Sequence, residues 1–194
     1  MISTRIAIFA SGTGSNALKI MEHFAGNAET VVCLVVSNKD DAGVLLYAKQ
    51  HQVNTLVINK SDFYSDRSIV PDLEKAGINF IVLAGFLWKV PDAIINAYSN
   101  RMINIHPALL PKYGGKGMYG SRVHEAVLAA GDTTSGITIH LVDEHYDNGK
   151  IIFQATCPVA ELDTPETLAD KIHALEHRHF AGVIDEYIQK LHHS

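Results

Sequence analysis

Apolar residues in this chain fall into two rhythms. Four short unbroken runs, Arg5 to Ala10 (RIAIFA), Thr30 to Ser37 (TVVCLVVS), Asn54 to Ile58 (NTLVI) and Asn79 to Phe86 (NFIVLAGF), have the length and apolar continuity of buried strands. Between them, ALKIMEHF, AGVLLYAKQH and DRSIVPDLEKA mix apolar and polar positions as surface helices do, the third interrupted by Pro71. Strand alternating with helix predicts an α/β fold with a doubly wound, mostly parallel sheet covered on both faces. Sheets of this kind bind ligands beyond the carboxyl ends of their strands. The places to search are therefore Ser11 to Asn16, Ser37 to Lys39, Gly85 to Lys89, and Asn104 to His106 after the run RMINI.

The rhythm changes in the second half. SGITIHLVD and GKIIFQATCPV read as two strands joined through EHYDN, with Asn148-Gly149 at the turn, which predicts an antiparallel addition to the parallel core. From Thr164 to Leu191 the pattern is helical. Thr164 stands at an N-cap position, Pro165 at the first helical position, and Leu168, Ile172, Leu175, Val183 and Tyr187 share a helical spacing. A long closing helix is expected there.

With 194 residues, of which 47% are apolar, the chain has enough material for one ordinary core, so a single domain over 1–194 is expected. The formal charge of −5 argues against a general nucleic-acid binder. The two cysteines, Cys33 and Cys157, sit in apolar runs and have neither metal nor redox spacing, so both read as reduced core residues. No charged-then-apolar leader opens the sequence and no apolar run reaches membrane-spanning length, so no membrane partner and a cytoplasmic location are expected.

Gly12-Thr13-Gly14-Ser15-Asn16-Ala17 fits the dinucleotide pattern G-x-G-x-x-[G/A] between a strand and a helix. Glycines let a phosphate approach the backbone, and a helix start offers N–H groups to it. The same residues also fit a plain glycine turn with Ser15 or Asn16 capping the helix. An NAD enzyme would place an acidic residue after the second strand; Ser37-Asn38-Lys39 stands there, a sequence better suited to NADP. In the tail, His173-Ala-Leu-Glu176-His177 matches the zinc pattern H-x-x-E-H, but a peptidase of that type needs a further ligand well downstream and only seventeen residues follow His177. Histidines on an amphipathic helix explain it better, and no metal is expected.

Asn104 and His106 alternate at the end of a strand, so their side chains point the same way, and Pro107 and Pro111 stiffen the loop that follows. An Asn amide donates to a developing oxyanion and a His moves a proton near neutral pH. Asp143, Glu144 and Asp147 crowd the connection DEHYDNGK. If Asp147 reached His106 it would favour the protonated imidazole.

SGTGSN, SNK, VLAGF, NIHPALLPKY, SGITIHLVDEHYDNG and LEHRHF, in this order and spacing, resemble the folate-dependent formyltransferases, and within them the family that formylates glycinamide ribonucleotide (GAR) in purine synthesis. The likeness covers nearly the whole chain. It implies the Rossmann-like formyltransferase fold, with a phosphate-binding half over 1–100 and a catalytic and folate-binding half over 101–194. It also implies direct transfer of a formyl group from 10-formyltetrahydrofolate, the co-substrate, to the GAR amine. By the same resemblance Asn104 stabilises the oxyanion, His106 acts as acid, and Asp147 keeps His106 protonated and assists proton movement. Gly14, Ser15 and Asn16 hold the ribotide phosphate, while Glu176 and His173 bind the GAR end that carries the glycinamide. Leu87, Trp88, Lys89 and Val90, with Asn104 and the loop Asp143, Glu144, His145, Tyr146 and Asp147, receive the folate. His140 supports the same cleft, and Arg67 is a candidate for the folate's glutamate tail.

Three features depart from the family pattern. Leu87-Trp88 stands where Met-Arg is common, Asp147-Asn148-Gly149 replaces Asp-Gly-Gly, and GGKGMYGSR is longer than usual. Two related activities are disfavoured: methionyl-tRNA formyltransferase adds a C-terminal tRNA-binding domain and formyltetrahydrofolate deformylase an N-terminal regulatory one, and this acidic chain runs from its first strand to its closing helix. An NADP-binding reductase or a nucleotide sensor would account for SGTGSN and SNK and leave Asn104, His106 and Asp147 without a task.

Overall fold

The computed structural model describes residues 4–65 and 69–193. Its strands are hydrogen-bonded in the order β3-β2-β1-β4-β5-β6-β7. Two compact units make up the chain, Met1–Ile103 and Asn104–Ser194. The fifth strand, β5 (Met102–His106), spans the boundary between them.

The first unit holds β1 (Thr4–Phe9), β2 (Thr30–Ser37), β3 (Asn54–Val57) and β4 (Phe80–Leu83). β1 pairs in parallel with β2 and β4, and β2 with β3. Flanked on both edges, β1 is the innermost of these strands, and Ile6 through Ala10 have no exposed surface. The apolar continuity of RIAIFA is the sequence signature of that position. Helices α1 (Ser15–Phe24), α2 (Gly43–Gln50), α3 (Lys60–Phe63), α4 (Val70–Lys75) and α5 (Asp92–Ala97) complete the unit. Along α1 the residues Ala17, Ile20, Met21 and Phe24 are buried, an i, i+3, i+4, i+7 stripe.

Pro71 does not interrupt its helix as the sequence suggested. It lies in the first turn of α4, where a missing N–H costs nothing, and the helix starts beside it at Val70. Asp66 to Ser68, and with them Arg67, lie outside the described residues.

The second unit holds the end of β5, α6 (Ser121–Ala129), β6 (Thr134–Leu141), β7 (Ile151–Pro158) and α7 (Pro165–His192). β6 and β7 are antiparallel, as their sequence pattern predicts. The tip of that hairpin is a loop of several residues rather than a tight Asn-Gly turn. Gly149 lies beneath the Leu141 carbonyl, where a Cβ would collide with it, so glycine is obligatory there for packing. β6 is buried from Ser135 to Leu141, whereas β7 alternates exposed and half-buried positions, the pattern of an outermost strand.

The closing helix runs for 28 residues. Thr164 accepts from the Thr167 N–H while the Thr167 hydroxyl accepts from the Thr164 N–H, a reciprocal cap that fixes its start. Its buried stripe includes Leu168, Ile172, Val183 and, among them, Glu176, while Leu175 and Tyr187 are only half-buried. Cys33 and Cys157 are free and half-buried rather than core residues, because each lies on a strand face that the unit covers incompletely. No described helix is long and apolar enough to cross a membrane.

Candidate active site

In the second unit four polar side chains meet, two from β5, one from β6 and one from the β6–β7 loop. Asn104 leaves β5 toward β6, where its Nδ2 lies 3.1 Å from Nε2 of His140. His140 is 2% exposed and its Nδ1 donates to the Leu141 carbonyl at 2.7 Å. Burial holds this imidazole below its ordinary pKa; the Leu141 carbonyl and the charges of Asp147 and Asp143 oppose burial, while His106 reinforces it. A neutral ring with its proton on Nδ1 offers a bare lone pair at Nε2. The Asn104 amide therefore presents an N–H to it.

His106, two residues along β5, is buried as well. Its Nε2 donates to the Tyr113 carbonyl at 2.7 Å. The other ring nitrogen, Nδ1, faces Asp147 Oδ2 at 3.6 Å, a separation too long for a hydrogen bond and short enough for charge attraction whenever the ring is protonated. The second oxygen, Oδ1, lies 3.7 Å from His140 Nε2. One carboxylate thus stands between two imidazoles. It is held there by the Gly115 N–H, which donates to Oδ2 at 2.9 Å, and by a left-handed backbone at Asp147 (φ 53°), which Asp tolerates better than most residues.

The loop after His106 is anchored from below by a residue the sequence pattern did not single out. Thr138 on β6 has no exposed surface, and its hydroxyl donates to the Ala108 carbonyl at 2.7 Å while accepting from the Leu110 N–H at 3.0 Å. Gln154 on β7 donates to the same hydroxyl at 2.9 Å and to the Leu110 carbonyl at 3.1 Å. All three hydrogen-bonding capacities of Thr138 are filled. The prolines stiffen the loop, and this network sets where it sits.

Within the β6–β7 connection, Asp143 is committed to the turn itself: it accepts from the His145 N–H at 2.9 Å and from Asn148 Nδ2 at 3.2 Å. Glu144, His145 and Tyr146 are exposed.

On α7, Glu176 is 6% exposed and His173 points to solvent. His173 and His177 stack with ring centroids 6.4 Å apart. Across from them α6 buries His124, whose Nδ1 has no hydrogen-bond partner among the described residues. Burial depresses its pKa, and the charge of His173 adds to that effect. Among the described residues, no group of three or more His, Cys, Asp or Glu is arranged to hold a metal ion.

In the first unit the glycine loop behaves as the strand–turn–helix pattern predicts, but not through a side-chain cap. Gly14 is itself the N-cap of α1, with φ 83°, and neither Ser15 nor Asn16 caps the helix. A Cβ on Gly14 would come within 2.5 Å of the Val44 Cβ, so close packing of α2 against the turn requires glycine as strictly as its backbone angle does. The first turn of α1 carries no acidic residue, which keeps the positive end of the helix suited to an anion.

Ser11 joins this loop to the segment after β4. Its N–H donates to the Gly85 carbonyl at 3.1 Å and its hydroxyl accepts from the Leu87 N–H at 2.9 Å. Phe86 and Trp88 lean on Phe63 at centroid separations of 5.6 Å, Trp88 stands 6.1 Å from Tyr64, and the Tyr64 hydroxyl donates to the Lys89 carbonyl at 3.0 Å. The indole is therefore part of an aromatic pile that fixes the loop, a task an arginine there could not perform in the same way. Leu87 stays 48% exposed and Val90 is buried.

The sequence matches the formyl transferase family over residues 4–184. It is 43% identical over 186 residues to a chloroplastic phosphoribosylglycinamide formyltransferase of Arabidopsis thaliana, covering 93% of this chain and 64% of the relative. It is 39% identical over 186 residues to the corresponding chloroplastic protein of Vigna unguiculata, covering 93% of this chain and 60% of the relative. The chain thus spans less than two thirds of the length of these plant relatives. Among solved structures, phosphoribosylglycinamide formyltransferase from Bacillus halodurans superposes with a TM-score of 0.87 at 35% identity, covering 97% of each chain. The seven-stranded order with its antiparallel last pair and long final helix agrees with that likeness. The chain belongs to the formyl transferase family, within its phosphoribosylglycinamide formyltransferase branch.

Proposed function

We propose that this chain transfers a formyl group from 10-formyltetrahydrofolate to the amine of glycinamide ribonucleotide, a step of purine synthesis, by direct attack and without a covalent enzyme intermediate. The observation that carries this reading is the partly buried row in which Asn104 donates to a neutral His140 while His106 Nδ1 and Asp147 Oδ2 stand 3.6 Å apart. Attack of the amine nitrogen on the formyl carbon forms a C–N bond and puts negative charge on the formyl oxygen. The second Asn104 N–H and the His106 Nδ1–H stabilise that oxyanion. Collapse breaks the bond from the formyl carbon to the donor nitrogen. One proton must leave the attacking amine and one must reach the departing nitrogen; Asp147, directly or through water, carries it between them.

Gly14, Ser15 and Asn16 bind the ribotide phosphate at the start of α1, with Glu176 and His173 at the glycinamide end. Leu87, Trp88, Lys89 and Val90, with the segment Asp143 to Asp147, receive the folate. No metal takes part in this scheme. The partners are these small molecules and not a nucleic acid, in keeping with the charge of −5. The reaction is assigned to the cytoplasm, which fractionation of the source cells checks, since the two plant relatives are named as chloroplastic.

The test is a purified-protein assay with both substrates. Formylated ribotide as product supports the reading. Formate from the folate with water as sole acceptor would make the chain a deformylase, and thermal stabilisation by NADPH without any by the ribotide would return the glycine loop to a dinucleotide role.

A further inference from the structure

Three residues of the loop after β5 hold both members of the His106–Asp147 pair through the main chain. The Tyr113 carbonyl accepts from His106 Nε2, and the Gly115 N–H donates to Asp147 Oδ2. Between them Gly114 has no room for a side chain, since a Cβ there would lie 2.6 Å from Leu110 Cδ2 and 3.2 Å from the Asp147 Cβ. Where this short bridge sits therefore decides how the imidazole and the carboxylate face one another.

Tyr113 adopts a left-handed backbone, φ 56°, which a bulky residue takes up only where its surroundings hold it. Core packing does not supply all of that hold. A cavity of about 330 Å³ opens beside the loop, lined by Leu109, Lys112, Tyr113 and Asp132 among others. Across it the Tyr113 hydroxyl donates to Asp132 Oδ2 at 2.8 Å. Lys112 approaches the same carboxylate at 3.1 Å and is largely exposed.

We propose that the Tyr113–Asp132 hydrogen bond is a positioning clasp, which keeps the Tyr113 carbonyl on His106 Nε2 and so directs His106 Nδ1 toward Asp147 and the reacting formyl group. This rests on the reading that His106 carries the proton chemistry. Tyr113 and Asp132 touch no reacting atom and act through the main chain. Both neighbours of the His106 ring, the Tyr113 carbonyl and the Asp147 carboxylate, are acceptors, so a ring that keeps its Nε2 proton on the Tyr113 carbonyl presents Nδ1 to Asp147. Slackening the clasp frees Nε2 from that carbonyl and lets the neutral ring exchange tautomers.

Tyr113→Phe removes only the hydroxyl, and Asp132→Ala removes its acceptor. Each is expected to lower kcat about tenfold or more, with KM for either substrate changed less than about twofold, because misplacement by a fraction of an ångström harms the transition state more than binding. The double variant should be no worse than either single one. Asp132→Asn keeps an oxygen in place and should restore most of the rate.

A second readout does not need turnover. Long-range 1H–15N spectra of the histidine rings, with His106 assigned by its loss in His106→Gln, should show Nε2 of His106 protonated in the wild type and a mixture of tautomers in Tyr113→Phe above neutral pH. Wild-type kcat and an unchanged ring spectrum in both variants overturn the clasp. So does a drop in Tm with the ring spectrum unchanged, which would make the hydrogen bond a stabilising contact only. If the wild-type protein itself transfers no formyl group, the function proposed above fails, and the ring spectra alone still decide whether Tyr113 orients His106.

Discussion

The side-chain nitrogen of Asn104 donates to Nε2 of His140 across 3.1 Å, and that ring is committed at its other end to the Leu141 carbonyl. The contact settles which end of the Asn104 amide faces inward, because a neutral imidazole protonated at Nδ1 can only accept at Nε2. The amide is thereby held with its second N–H directed elsewhere than at His140. His140→Ala leaves Asn104 free to rotate. The expected result is a fall in kcat of about tenfold to a hundredfold with little change in KM for the ribotide. An unchanged kcat would mean that the amide is oriented by other contacts.

His106 and Asp147 act as a pair in the proposed mechanism, so removing either should cost about as much as removing both. Deleting a positioned proton-transfer group typically costs about 10² to 10⁴ in rate. His106→Ala and Asp147→Asn are expected to fall in that range, and their double variant to lie close to the worse single one. Circular dichroism must show that each stays folded. Near-normal turnover in either variant would remove that residue from the chemistry.

Much of this arrangement is legible in the amino-acid sequence. The unbroken apolar runs of β1 and β2 announced a sheet buried on both faces, and the Thr164-Pro165 pair announced the start of α7. The spacing of Asn104 and His106 on one strand placed both side chains on the same side, which their contacts bear out. Pro71 misled because a proline inside a helix and one in its first turn look alike in sequence; only the true start of α4 separates them. The two cysteines misled in another way, since an apolar neighbourhood along the chain does not reveal which strand face is left half-covered.

What escaped the sequence is mostly backbone or long-range. The partner of His106 Nε2 is a carbonyl, which every residue possesses, so no residue type could have flagged Tyr113. Thr138 and Gln154 read as ordinary strand residues, yet their side chains hold the loop that begins at Pro107. Gly14 fits a phosphate loop and a plain turn alike in sequence, and the packing of Val44 on it supplies a purely structural reason for glycine.

Thr138→Val tests the loop anchor. The two side chains have nearly the same shape, so the substitution removes hydrogen bonds without opening a cavity. It leaves the Leu110 N–H and the Ala108 carbonyl buried without the hydroxyl, and Gln154 loses one acceptor. A loss of about 1 to 3 kcal/mol of stability is expected for groups left in this condition. Urea denaturation measures it. The rate should fall as well, since the loop that follows His106 and carries Tyr113 is no longer fixed to β6; full stability and full activity together would show that ordered water replaces the hydroxyl.

Acid should weaken the fold through two buried histidines. Burial is the leading cause that lowers the pKa of both His140 and His124 below the ordinary 6.5. In the unfolded chain each imidazole takes up a proton near that value, while in the folded chain it resists until lower pH. Between the two pH values the unfolded state binds more protons, so stability is fully present above about 6.5 and is lost as pH falls toward the folded pKa values. The slope contributed by each residue cannot exceed about 1.4 kcal/mol per pH unit. The urea midpoint is therefore expected to drop between pH 7.5 and pH 5.5. His124→Asn should flatten that drop by removing one of the two groups, because an amide does not titrate. If the variant follows the wild type through the whole range, His124 is charged as readily in the folded chain as in the unfolded one, and its burial on α6 carries no protonation cost.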